Sequence, residues 1–130
     1  MVSFLGWLNV VLLSLIVLPY ILNLLNRKLI KTKSTAFKKV MKFLKKLHKP
    51  LGILLAIVAL WHGYLGLGAI RLHTGTLLYV CMFSTVALGG AFYKLKKKQL
   101  FVWHKRMALL TVLVLLLHIL YPNALWYLFN

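Results

Sequence analysis

The chain is 130 residues long and 62% hydrophobic, and it carries 17 Lys and Arg against no Asp or Glu. So little polar surface cannot cover a soluble domain, and the composition reads as that of a membrane protein whose solvent is the bilayer. Without a carboxylate side chain there is no general acid or base of that kind, no catalytic triad, no Mg²⁺ or Ca²⁺ cage and no acidic proton relay. This weighs against hydrolase, kinase and carboxylate-driven pump chemistry.

Four segments are apolar over the ~20 residues that a spanning helix needs. The first covers about residues 2–26 and is interrupted by Pro19. Its basic residues, Arg27 and Lys28, follow it, and it lacks a small-residue cleavage site, so it reads as a retained anchor rather than a signal peptide. Next, Phe37, Val40, Met41, Leu44 and Leu47 recur at helical spacing, with Lys38, Lys39, Lys42, Lys45 and Lys46 on the rest of the wheel. That pattern predicts a short basic amphipathic helix at the membrane surface before the second span. The second span is expected at about residues 50–70, the third at 74–93 and the fourth at 107–129. Pro122 bends or ends the last, where Tyr121, Trp126 and Tyr127 form an interfacial belt. The expected fold is a single-domain, all-α membrane protein over residues 1–130, a bundle of four transmembrane helices. The one cysteine, Cys81, lies in an apolar run and allows neither an intrachain disulfide nor an iron–sulfur cluster.

Charge placement sets the expected topology. Ten of the 17 basic residues fall between Arg27 and Lys49, six between Lys94 and Arg106, and only Arg71 between the second and third spans. The positive-inside rule puts segments 27–49 and 94–106 in the cytoplasm and both termini outside; the expected location is the cytoplasmic membrane of a prokaryote. The second and fourth helices then run parallel. The basic surface suits anionic lipid or an acidic cytoplasmic redox partner; nucleic acid is not expected, because no recognition fold accompanies the charge.

Four of the five histidines form two equally spaced pairs: His48 and His62, and His104 and His118, each 14 positions apart. On an α-helix 14 steps of ~100° fall only ~40° short of four turns, so both members of a pair share one face, ~21 Å apart. Parallel helices would bring the pairs together at two depths. Facing neutral imidazoles are the usual ligands of six-coordinate heme iron. The expected metal ligands are therefore His48 and His104 for an inner heme and His62 and His118 for an outer one. Gly52, Gly66 and Ala108 follow His48, His62 and His104 by one turn and would clear room for a porphyrin. Lys49, Lys105 and Arg106 suit the inner propionates; Arg71, Tyr64 and Tyr121 suit the outer ones. His73, at the start of the third span, reads as a cap or loop residue, or as a contact to an outer propionate or a quinone head group.

The pattern His48-Lys49-x-x-Gly52 with His62, then Trp103-His104 and His118, resembles the diheme core of the ferric reductase-like transmembrane family. It is also similar to the cytochrome b subunits of respiratory complexes. The resemblance covers about residues 47–121 and implies a four-helix bundle holding two b-type hemes. No flavin- or nicotinamide-binding domain follows, so a separate flavin or iron–sulfur subunit would have to exchange electrons with the hemes. The function expected on this basis is transmembrane electron transfer as the anchor subunit of an oxidoreductase, with a quinone as a further cofactor. There is no catalytic residue to name, and an electron-transfer subunit fits better than a self-sufficient enzyme. The alternatives are a stand-alone quinone or ferric reductase, and a structural membrane subunit whose histidines hydrogen-bond between helices.

Overall fold

The computed structural model describes residues 1–68 and 72–129. It contains α1 (Val2–Leu25), a π-helical turn (Asn26–Ile30), α2 (Thr35–Leu67), α3 (Thr74–Leu95), α4 (Lys98–Leu120) and α5 (Ala124–Phe129), with no strand among the described residues. Three stretches, Val2–Ile30, Thr74–Leu95 and Lys98–Leu120, are long and apolar enough to cross a membrane. The chain is thus an all-α protein of membrane type.

Several expected boundaries move. Pro19 does not interrupt α1: the helix continues through it, and its ring is fully buried. A proline interior to a helix removes one backbone hydrogen bond, which packing can offset. The basic amphipathic segment is not a separate helix, because α2 runs without a break from Thr35 through Pro50. Segment 94–106 is not a loop either. Only Lys96 and Lys97 separate α3 from α4, and Lys96 takes the left-handed conformation that stops a helix (φ 56°). The Phe92 and Phe101 rings meet across this turn with centroids 5.0 Å apart, which favours starting α4 nine residues ahead of the expected 107. At the other end Pro122 splits the expected fourth segment into α4 and the short α5.

The chain packs as two compact units, Met1–Val58 and Ala59–Asn130. In the first, Leu12, Ile16 and Pro19 make one buried stripe on α1. Met41 and Leu55 are buried on α2 at positions seven before and seven after His48, so the basic and apolar halves of that helix share a packing face. This shared stripe gives a physical reason for the helix to pass through Pro50. The Tyr20 ring stands edge-on to His48, centroids 5.6 Å apart. Beyond the π turn, Asn26 closes the chain on itself: its Oδ1 accepts from the Thr32 N–H at 2.8 Å and its Nδ2 donates to the Thr32 carbonyl at 3.2 Å.

In the second unit α3 and α4 form an antiparallel hairpin. Its core is small and partly polar: Thr74, Cys81 and Met82 are buried on α3, Thr111 and Val114 on α4.

Candidate functional site

The chemistry-bearing residues of the hairpin are stacked along the α3–α4 contact. His104 stands near the lysine-rich end. Its Nδ1–H donates to the Thr85 carbonyl at 2.7 Å, where Thr85 lies in the middle of α3. A carbonyl oxygen can only accept, so the proton sits on Nδ1. The edge of this ring lies against Gly89, where an added Cβ would fall 2.9 Å from Cε1 and 3.0 Å from Nδ1.

Two turns on, the hydroxyls of Thr85 and Thr111 are 3.0 Å apart. Each also reaches back to a carbonyl on its own helix, Cys81 and Met107 respectively, both at 2.8 Å.

At the far end Thr74, which has no exposed surface, donates its hydroxyl proton to the Pro122 carbonyl at 2.6 Å. Having given up its only proton, that oxygen accepts from His118 Nδ1–H at 2.9 Å. The His118 ring rests on Gly75, with an added Cβ 3.2 Å from Cε1. His73 caps α3, its Nδ1 accepting from the Gly75 N–H at 3.5 Å. Nδ1 therefore carries the lone pair and Nε2 the proton, which is donated to Asn123 Oδ1 at 3.1 Å. The His73 and His118 rings meet edge to face, centroids 6.2 Å apart.

Two histidines therefore fit two glycines in a fixed register. Gly75 and Gly89 are 14 residues apart on α3, as His104 and His118 are on α4, and in an antiparallel pair each glycine meets one imidazole. The sequence reading missed Thr74, Gly75, Thr85, Gly89 and Thr111. The signal that would have found them was the same 14-residue interval recurring on α3.

The expectation of two b-type hemes and a quinone is corrected. Among the described residues no group of three or more His, Cys, Asp or Glu is placed to hold a metal ion. The physical reason lies in the packing. Each α4 imidazole lies against an α3 glycine and bonds to α3 through Nδ1, so these rings sit in a helix–helix contact.

The remaining expected site residues fall on several elements. His48 is half-buried in the first unit and His104 belongs to the second; His62 is half-buried near the end of α2. A Cβ added at Gly52 would meet nothing within 4 Å. Gly66 is exposed and Ala108 half-buried. Lys49 is exposed on α2, Lys105 Nζ lies 4.9 Å from the Phe101 ring centre, and the Arg106 guanidinium lies 5.3 Å from that of Trp103. Tyr64 and Tyr121 are exposed. Arg71 lies outside the described residues.

No family model matches the chain, and no curated protein or solved structure matches it. What the fold and the polar contacts define is a class alone: an all-helical membrane-type protein with a histidine- and threonine-laced hairpin.

Proposed function

We propose that the chain is a structural subunit of a prokaryotic cytoplasmic membrane, a helical scaffold whose histidines serve as packing and hydrogen-bonding groups between helices. It crosses four times, with the second half of α2 as the second span, both termini outside and the basic segments inside. The observation that carries this reading is the matched pairing of His104 with Gly89 and Thr85, and of His118 with Gly75 and Thr74. In a bilayer a polar side chain facing hydrocarbon is unfavourable, whereas one bonded across a helix pair adds specificity and ~1 kcal/mol. The lipid-facing surface fits the same role: Leu109, Leu113, Leu116 and Leu120 are exposed along α4.

The test uses the detergent-solubilised full chain, with thermal unfolding followed by circular dichroism and a visible spectrum of each preparation. His104→Ala and His118→Ala are expected to unfold at lower temperature than wild type, with visible spectra identical to it. Unchanged unfolding in both variants would overturn the proposal. So would a wild-type Soret band that disappears with either histidine.

A further inference from the structure

The turn between α3 and α4 is where the second unit concentrates its charge. Lys94, Lys96, Lys97 and Lys98 occupy four of five consecutive positions and all are exposed, with Lys105 and Arg106 exposed further along α4. The sequence contains no Asp or Glu side chain to neutralise them. Aromatic rings are interleaved with these cations. Lys96 Nζ lies 4.5 Å from the Tyr93 ring centre and 6.0 Å from that of Phe92, Lys105 lies over Phe101 and Arg106 over Trp103. Tyr93 and Trp103 are themselves 58% and 47% exposed, amphipathic rings of the kind that settle at the level of lipid head groups. Both helices entering the turn are of membrane-crossing length and apolarity, so the turn ends at a bilayer surface. α4 begins there without a side-chain cap, which leaves the positive end of its dipole on the same side as the lysines.

We propose that this turn is a binding surface for the head groups of anionic phospholipids, with Lys96, Lys97 and Lys98 meeting the phosphodiester and Tyr93 and Trp103 fixing its depth. The charge complementarity has no internal substitute, since every candidate counter-ion must come from outside the chain's side chains. The aromatic partners hold Lys96, Lys105 and Arg106 near the helix surface, which lowers the entropy lost when a head group docks. The proposal rests on the membrane placement stated above but not on the role given there to the histidines.

The experiment reads Trp103 alone, in full-length protein carrying Trp7→Phe, Trp61→Phe and Trp126→Phe, reconstituted into phosphatidylcholine bilayers. A fixed fraction of lipid is replaced by brominated phosphatidylglycerol or, separately, by brominated phosphatidylcholine, both of which quench indole fluorescence on contact. Local enrichment of the anionic lipid should make its quenching constant about fivefold the larger, and raised salt should shrink the difference. Lys96→Gln/Lys97→Gln/Lys98→Gln should abolish the preference, and the same three positions changed to Arg should keep it. Equal quenching by the two lipids in wild type overturns the lipid surface alone, as does a preference that survives the glutamine variant. Absence of quenching by either lipid overturns the membrane placement as well.

Discussion

A methyl group added at Gly89 would lie 2.9 Å from Cε1 of His104, a ring held in place by its bond to the Thr85 carbonyl. Either the imidazole tilts and loses that bond or the two helices separate, and overpacking of this sort costs ~1–3 kcal/mol. Gly89→Ala should therefore lower thermal stability, while Gly90→Ala, whose added Cβ meets nothing within 4 Å, should not. If the clash is with the ring, His104→Ala removes it, and the double variant should be more stable than the sum of the single effects predicts. A zero coupling energy in that cycle would refute the notch. Thr74 is a second test at this scale, since its hydroxyl both accepts from His118 and donates to Pro122. Thr74→Val keeps the shape and breaks both bonds, with an expected loss of ~1 kcal/mol because two partly buried hydrogen bonds disappear. Asn9 presents the converse: its Oδ1 is buried without a hydrogen-bond partner among the described residues, so Asn9→Leu should raise the unfolding temperature of the chain.

At the scale of elements, the informative boundary is the two-residue turn of Lys96 and Lys97. α4 starts with Lys97 as its N-cap in extended geometry, φ −79° and ψ 122°, and with no side chain accepting from its first N–H groups. Serine in that conformation accepts from the second or third N–H of the helix, so Lys97→Ser should stabilise the hairpin by ~1 kcal/mol, measured by thermal unfolding in detergent. A loss of stability would mean that the lysine is held by an interaction stronger than a cap. The elements themselves were largely legible in the residues: apolar runs of membrane length recovered α1, α3 and most of α4, because hydropathy over ~20 residues reports a solvent. Their ends were not. Lys94 to Arg106 reads as a polar loop by charge, yet lysine is a good helix former and the Phe92–Phe101 contact draws the helix forward. The histidine site was legible in part. The 14-residue interval correctly put two imidazoles on one face of α4. What faces them depends on which helix is adjacent, and a spacing shared by α2, α3 and α4 does not decide among neighbours.

For the whole molecule, the unbalanced charge of +17 makes orientation in the membrane its most testable global property. Basic residues resist translocation, so the segments holding ten and six of them should stay on the cytoplasmic side, while the end bearing His73 and Asn123 should be carried outside. The native thiol is buried, and Cys81→Ser removes it from the labelling. In that background Lys33→Cys and Lys97→Cys should react with a membrane-impermeant maleimide only after the cells are opened, and Asn123→Cys should react in intact cells. All three positions are on exposed segments at helix ends, so folding should survive the changes. Labelling of Lys97→Cys from outside would reverse the orientation. Labelling of Lys33→Cys and Lys97→Cys from opposite sides would mean an even number of crossings cannot lie between them, and the second half of α2 would then not be a span.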